Sequence, residues 1–403
     1  MGTKILNIVA YAYVGKGISG GDRIFIECVK RWSGKDYTIN VFTSKDGLNI
    51  CKRYGLGLKN VTYIVLSPSK LDKFSLYLVY IIRLIKGSII ITRFVEKIKD
   101  AHVKIVVYSE SDFWPDSIPA WILKMKFRKA KWVAGFYLFV SNPFSNESTY
   151  KGKRFLRGLF YYLSQIPVYW LVKKYADMVW VTNELDRWRF IDGEKLTPER
   201  VIAVRGGVDT KTPSQVLEPK EKKYDAVFIG RFCPEKGILE LIDIWKYVCE
   251  MKRDAKLAVL GAGELEKKVE AKIIKYHLGN NIELLGFKDG VEKFKIIKES
   301  KVILHSSIYD SGGMAACEAM LCGLPGVCFD LLSLRVYYPK GMLKAPRGDL
   351  MAFAKNIINL LDDRELYNRM GKEALEFAKD WDWDKRAKEL LNIIQRELFH
   401  TII

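Results

Sequence analysis

The feature that most constrains this chain is a regular alternation between short β-branched runs and longer stretches with helical periodicity. In the first half the runs include Lys4–Tyr11, Tyr37–Thr43 and Lys104–Ser109, and helical stretches separate most of them. The same alternation resumes at Asp225–Gly230 and continues to Gly326–Asp330. Such a pattern indicates βαβ units on a parallel sheet. We therefore expect an α/β fold with two doubly wound sheets and a ligand cleft at the carboxyl ends of their strands.

The pattern stops between Lys211 and Lys223, where Pro, Ser and Lys predominate. A chain of 403 residues is also long for one core. The sequence predicts a first domain at residues 1–210, an exposed linker at 211–223 and a second domain at 224–380. A last helical segment, residues 384–403, is expected to pack back on the first domain.

The chain is strongly basic, with 66 Lys and Arg against 47 Asp and Glu and a formal charge of +19. This excess indicates phosphorylated substrates, nucleic acid or an anionic lipid surface, or a solubilising Lys-rich exterior. No nucleic-acid-reading motif accompanies the charge, so we expect no nucleic-acid partner. The seven cysteines form no Cys-x-x-Cys pair and there are only four histidines. We therefore predict no metal site and expect reduced thiols in a cytoplasmic protein.

Two apolar stretches, Phe74–Thr92 and Phe155–Val172, are interrupted by charged or polar residues. A membrane-spanning helix needs about 20 mostly uncharged residues, so neither stretch qualifies. Both fit core helices. The aromatic-rich part of the second, Phe155–Trp170, also fits a patch that lies against a membrane surface.

The strongest local motif follows a predicted strand in the second domain and runs from Gly230 to Gly237 into a helix. Its terminal glycines allow a tight turn and close approach of the backbone to a ligand. Arg231 and Lys236 place two cations near a helix N-terminus, which itself favours anions. Together they predict a diphosphate site, whereas the alternative is an ordinary basic surface loop.

A second motif follows the predicted strand Lys301–Ser306. Asp310 lies in the loop after this strand and Glu318 lies in the following helix, among small and apolar residues. Gly312 and Gly313 between them would offer backbone N–H groups to a ligand. A carboxylate accepts hydrogen bonds from vicinal hydroxyls, as on a ribose. The alternative is a loop cap at Asp310 and a solvent-facing Glu318.

In the first domain, Glu110 and Asp112 follow the strand Lys104–Ser109. They are candidates for acceptor binding or for assistance in proton removal. They fit equally well as acids that cap a loop or helix.

Two other sequence patterns resemble known binding motifs, but their positions in the chain argue against those functions. Gly15–Gly20 spells a dinucleotide-binding fingerprint, but the second strand lacks the acid that a nicotinamide site needs. Asp382 and Asp384 imitate an Asp-x-Asp metal motif, but they lie near the C-terminus, where Asp384 is predicted to be a helix N-cap.

With these motifs in their order, the chain resembles the retaining glycosyltransferases of family 4 (glycosyl transferases group 1), which have the GT-B fold of two Rossmann-like domains facing a cleft. The resemblance includes the Gly20-Gly21 loop, Val204–Asp209, Gly230–Gly237, the Asp310 and Glu318 pair, and Gly323–Pro325. It implies an acceptor-side first domain and a second domain that binds the nucleotide sugar.

The resemblance also implies roles for individual residues. Arg231 and Lys236 would bind the donor diphosphate, Glu318 the ribose and Asp310 the transferred sugar, without a metal or other cofactor. The remaining implied donor contacts are Gly20, Gly21, Gly230, Gly263, Phe287, Ser311, Gly312, Gly313 and Met314.

Two departures from the family pattern concern the site. Asp310 stands where the family usually has Glu, and Tyr137 stands where many relatives have a histidine, after the predicted strand Trp132–Leu138. Tyr137 is therefore an acceptor-side candidate beside Glu110 and Asp112.

The function that the sequence predicts is transfer of a hexose from a nucleoside-diphosphate sugar to a lipid-linked saccharide or glycan, with retention of configuration. The enzyme would be cytoplasmic, with a peripheral contact on the inner face of an anionic membrane. The alternatives on this fold are a nucleotide-sugar epimerase, a phosphorylase, or a sugar-nucleotide-binding protein without activity.

Overall fold

The chain forms two compact units in the computed structural model. The structure describes residues 4–12, 18–33, 37–57, 61–66, 76–97, 104–145, 148–193 and 195–399. One unit comprises Met1–Gly206 with Asp384–Ile403, and the other comprises Gly207–Trp383. The stretch 211–223, predicted to be a linker, lies inside the second unit and includes a 3-10 turn at Thr212–Gln215. Residues 13–17, which contain the first half of the dinucleotide-like pattern, lie outside the described residues.

The first unit is built on a parallel sheet of seven strands in the order β3-β2-β1-β4-β5-β6-β7. The strands are β1 Lys4–Ala10, β2 Tyr37–Ser44, β3 Val61–Leu66, β4 Lys104–Ser109, β5 Lys131–Gly135, β6 Met178–Val181 and β7 Val201–Ala203. The helices are α1 Gly20–Trp32, α2 Lys45–Arg53, α3 Leu76–Lys97, α4 Trp114–Lys126, α5 Phe155–Tyr175 and α6 Glu184–Phe190. The strand order reverses between β1 and β4, which is where ligands bind in sheets of this type.

The second unit repeats this plan with six parallel strands in the order β10-β9-β8-β11-β12-β13. The strands are β8 Tyr224–Ile229, β9 Leu257–Leu260, β10 Ile282–Gly286, β11 Ser300–His305, β12 Gly326–Phe329 and β13 Met342–Ala345. The helices are α7 Ile238–Met251, α8 Glu266–Lys275, α9 Gly290–Lys298, α10 Met314–Leu321, α11 Leu332–Tyr337, α12 Leu350–Asp362 and α13 Arg364–Lys379. Here the order reverses between β8 and β11, the two strands that precede the two strongest sequence motifs.

The last helix, α14, spans Trp383–Ile394, and a π-helical turn at Gln395–Phe399 follows it. Trp32 of α1 donates a hydrogen bond from its indole to the carbonyl of Ala387 at 2.8 Å. The prediction that Asp384 is an N-cap is wrong, because the helix already begins at Trp383. Asp384 lies in the first turn, where its carboxylate accepts a hydrogen bond from Arg31 at 2.5 Å.

The predicted α/β fold with two parallel sheets is confirmed, but some boundaries differ. The strand predicted at Trp132–Leu138 spans Lys131–Gly135 instead. Gly135 packs closely on the end of β4, since a Cβ there would lie 2.6 Å from the carbonyl oxygen of Glu110. Tyr137 therefore follows the strand. The sequence reading also missed β13. Among the described residues, no helix is both long and apolar enough to cross a membrane.

Candidate functional site

In the second unit, the loops after β8, β9 and β11 pack backbone against backbone. Gly237 has a left-handed φ of 61°, and a Cβ there would lie 1.9 Å from the carbonyl oxygen of Ser306. A Cβ at Gly261 would lie 1.8 Å from the carbonyl oxygen of Gly230. A side chain at either position would push the loops apart. The glycines of the first motif therefore hold the loop after β8 against both of its neighbours.

This packing brings Lys236 to Asp310. The Lys236 ammonium lies 2.5 Å from Asp310 Oδ2, and His305 Nε2 lies 3.1 Å from the same oxygen. Gly312 donates its N–H to Asp310 Oδ1 at 3.2 Å, so this amide serves the carboxylate and differs from the expected open donor. Burial alone would raise the pKa of Asp310, but the Lys236 ammonium and His305 hold it well below its usual range. The carboxylate is a fixed negative charge.

Arg231 differs from Lys236 although the two cations share one loop. Its side chain is exposed, and within the described part of the chain no hydrogen bond or ion pair is recorded for its guanidinium. The short 3-10 turn Pro234–Lys236 lies between it and Gly237, the N-cap of α7. Arg231 is therefore a solvated cation beside a helix N-terminus, which suits recognition of an anion.

Glu318 belongs to a second buried ion cluster. Lys293 on α9 places its ammonium 2.9 and 2.8 Å from the two carboxylate oxygens of Glu318, and 2.8 Å from Asp289 Oδ1. Burial alone would lower the pKa of Lys293, but the carboxylates of Glu318 and Asp289 raise it. Among the described residues, no recorded hydrogen bond or ion pair joins Glu318 to Lys236 or Asp310.

Sequence reasoning missed Lys293 and His305. The apolar surroundings of Glu318 indicated that a partner was needed, but nothing in the sequence identified which lysine supplies it. His305 is the last residue of β11. Its ring leaves no space for a side chain at Gly313, because a Cβ there would lie 2.3 Å from the His305 ring. The Gly313 carbonyl accepts a hydrogen bond from Tyr338.

The other predicted donor contacts lie around the same strand ends. Gly230 follows β8, Gly263 packs on the backbone of Phe232, and Phe287 follows β10 with its side chain exposed. Ser311 lies in the loop before α10, and Met314 is the first residue of that helix.

In the first unit, Gly21, Glu110 and Tyr137 converge at the corresponding strand ends. Gly20 and Gly21 begin α1, which Ser19 caps. A Cβ at Gly21 would lie 2.8 Å from the Tyr137 ring and 2.9 Å from Glu110 Oε1. The Tyr137 hydroxyl forms a hydrogen bond of 2.6 Å with that of Tyr108.

The acids of this region are buried. Glu110 and Asp112 are each 6% exposed, and Asp116, which the sequence reading did not single out, is fully buried. Gln165 donates to Asp112 at 2.8 Å, and the N–H groups of Tyr11 and Ala12 donate to Asp116 at 2.6 and 2.9 Å.

These surroundings change the pKa values of the buried acids. Burial raises the pKa of Asp112 to about 6 and that of Asp116 to about 7. Burial, with the neighbouring carboxylate of Asp22 adding to it, raises the pKa of Glu110 well above its usual value. The acids at this strand edge therefore keep their protons to a higher pH than ordinary carboxyl groups do.

Comparison with known proteins places this architecture in a known class. The Anabaena protein HepE, crystallised with UDP and glucose, superposes with a TM-score of 0.71 over 98% of this chain and 99% of its own, at 14% identity. The shared fold is that of the GT-B proteins. The family described as Glycosyl transferases group 1 matches residues 209–377, nearly all of the second unit.

Curated relatives agree with this family. An uncharacterized glycosyltransferase of Methanocaldococcus jannaschii is 28% identical over 188 residues, which are 46% of this chain and 51% of that protein. The phosphatidyl-myo-inositol mannosyltransferase of Mycobacterium leprae is 28% identical over 174 residues, 42% of this chain and 46% of that protein. The chain thus spans about half the length of these relatives. Residues 209–377 are thus similar to the group 1 glycosyl transferases, and the chain has the fold of the GT-B proteins.

Proposed function

We propose that this protein transfers a hexose from a nucleoside-diphosphate sugar to an acceptor, with retention of configuration, and that its second unit holds the donor. The observation that carries this proposal is the arrangement at the switch point of the second sheet. There, an exposed Arg231 and the Asp310-bound Lys236 lie on one loop in front of α7. The combination of a planar guanidinium, an ammonium and a helix N-terminus suits a diphosphate.

Each residue has a chemical task in this proposal. The ammonium of Lys236 has three donors, so its bond to Asp310 leaves donors for a phosphate oxygen. Arg231 and Lys236 would stabilise the charge that develops on the leaving diphosphate, without a metal ion. Asp310 would accept hydrogen bonds from the sugar, and Glu318 from the ribose.

The acceptor side of the proposal involves the first unit. The relative from M. leprae is by name a phosphatidyl-myo-inositol mannosyltransferase, and the present chain carries a formal charge of +19. We therefore propose a lipid-linked saccharide or glycan as acceptor, and a cytoplasmic enzyme in peripheral contact with an anionic membrane.

Binding and turnover test the proposal in sequence. UDP, GDP and ADP hexoses are screened for an increase in the melting temperature, since a ligand of the folded state stabilises it. The donor that binds is then assayed for transfer to a panel of lipid-linked saccharides. Arg231→Ala should lower the transfer rate about a hundredfold to a thousandfold. Arg253→Ala is the matched control, because Arg253 is exposed in the same unit but precedes β9, at the opposite edge of the sheet.

Further variants separate the roles. Lys236→Ala should lower the transfer rate by a similar factor, and Glu318→Ala should weaken donor binding in calorimetry. Normal rates in both cation variants would remove the diphosphate site. Turnover of the donor alone would instead indicate an epimerase. A reaction that depends on free phosphate would indicate a phosphorylase. Donor binding without any turnover would indicate a non-catalytic protein.

A further inference from the structure

Two helices of the first unit expose apolar side chains to solvent. Helix α3 exposes Tyr77, Ile81, Ile85 and Ile89, which recur at every fourth position, and helix α5 exposes Leu156, Phe160, Leu163, Ile166 and Trp170. Ile85 is 54%, Leu163 55% and Trp170 62% exposed. Single exposed apolar residues are ordinary, but two periodic rows on neighbouring helices are not. We call these nine residues the α3–α5 surface.

The two rows meet. The rings of Tyr77 and Phe160 lie 4.9 Å apart in an edge-to-face contact, and both side chains are exposed. The apolar surface is therefore continuous from one helix to the other.

The scaffold beneath this surface is firmly connected. The hydroxyl of Tyr80 on α3 accepts a hydrogen bond from the Trp114 N–H at 2.7 Å. The Trp114 indole donates to the carbonyl of Ser164 on α5 at 2.9 Å. Helices α3, α4 and α5 are thus joined by polar contacts below the surface, so the two rows do not need to assemble on binding.

The charges on these helices indicate what covers the surface. Helix α5 contains no acidic residue, and Glu96 is the single acid of α3. Exposed Lys86, Lys153 and Lys174 lie on or next to the two helices. Exposed apolar rows on helices that also bear exposed basic residues fit an anionic lipid surface, where the apolar side chains enter the acyl boundary and the cations meet the headgroups. A second copy of the chain would place the same cations against each other.

We propose that the α3–α5 surface docks this protein on a membrane that contains anionic lipid. This inference specifies the membrane contact of the proposed function. Its test needs neither donor nor acceptor. The membrane proposal can therefore fail while the transfer proposal stands, and the transfer proposal can fail while the membrane proposal stands.

The experiment is co-sedimentation of the full chain with phosphatidylcholine vesicles that contain phosphatidylglycerol. Binding should fall when salt is added and should be weak to vesicles of phosphatidylcholine alone. The double variant Leu163→Ser/Trp170→Ser should bind at least about tenfold more weakly, because two apolar side chains no longer enter the lipid. The matched control is Ile274→Ser/Leu332→Ser, which removes two exposed apolar residues of the second unit.

A second measurement does not depend on a polar variant. Lipids with brominated acyl chains should quench part of the tryptophan fluorescence of the parent protein, and Trp170→Phe should lose that part. Equal vesicle binding by the double variant and the parent would overturn the proposal, as would equal binding to neutral vesicles. A dimer in the absence of lipid that Leu163→Ser/Trp170→Ser converts to a monomer would also overturn it, because the surface would then pair two copies.

Discussion

The two units have buried carboxyl groups at the same topological position, but the pKa values of these groups are shifted in opposite directions. In each sheet the strand order reverses beside the first strand of the unit, between β1 and β4 or between β8 and β11. At the first reversal the loop after β4 contains Glu110 and Asp112, the first turn of α4 contains Asp116, and burial raises the pKa of all three carboxyl groups. At the second, Lys236 and His305 hold the pKa of Asp310 well below its usual range.

This difference shows that the pKa of a buried carboxyl group depends on its hydrogen-bond and ion-pair partners and not only on how deeply it is buried. Asp310 and Asp112 have similarly covered side chains, but an ammonium faces the first and an amide faces the second. A neighbouring cation compensates for the lost hydration of the anion, whereas a neutral donor compensates only in part. The carboxylate at the second edge therefore stays ionised at lower pH than an ordinary carboxyl group, whereas the acids at the first edge need a higher pH to ionise.

The largest expected effect comes from breaking an ion pair of the second unit. Lys293→Met leaves Glu318 buried without its cation, which should destabilise the unit by about 3–5 kcal/mol. Hydrogen exchange of the α9 and α10 amides measures this stability. Lys295→Met on the exposed face of α9 is the control and should change little.

The double variant Lys293→Met/Glu318→Gln sharpens this result. It removes both charges, so it should be more stable than Lys293→Met alone. If the double variant is less stable than the single one, the pair is not the reason for the loss.

An intermediate effect is expected from a buried acid of the first unit. The pKa of Asp116 is about 7 in the folded chain and about 3.9 in an unfolded one, so the folded state binds more protons between these values. Stability should therefore fall as the pH rises from about 4 to about 7, by at most about 1.4 kcal/mol per pH unit from this group.

Asp116→Asn should make that slope shallower, because the amide does not titrate in this pH range. Its oxygen can still accept from the Tyr11 N–H, so the fold should be retained. Urea unfolding across this pH range measures the slope. The half-exposed Asp46 provides the control variant Asp46→Asn, whose slope should match that of the parent. An unchanged slope for Asp116→Asn would contradict the view that this edge favours protonated acids.

The smallest effect is expected at Tyr137. Tyr137→Phe removes the hydrogen bond with the Tyr108 hydroxyl and should cost about 1 kcal/mol of stability. Tyr162→Phe on α5 is the comparison, because no hydrogen bond of the Tyr162 hydroxyl is recorded within the described residues. A loss of transfer beyond tenfold in Tyr137→Phe, with normal stability, would show instead that this hydroxyl contacts a reactant.

Much of the candidate site in the second unit could be predicted from local sequence. The loops at Gly230–Gly237 and after β11 were predicted to follow strands, and the structure has them after the neighbouring strands β8 and β11. This follows because parallel βαβ units bring the carboxyl ends of their strands to one edge. The glycines were informative for the same local reason: at Gly237 and Gly261 a side chain has no space.

The sequence by itself determined the two parallel sheets, because the alternation of strand and helix patterns is a property of neighbouring residues. The tertiary structure decided which charges meet. Lys293 lies 25 residues from Glu318, and Asp116 lies 105 residues from Tyr11. Burial and partner distance set the charge state of an acid, and both depend on elements that are far apart in the chain. The fold was therefore readable from local patterns, whereas the electrostatic contrast between the two units was not.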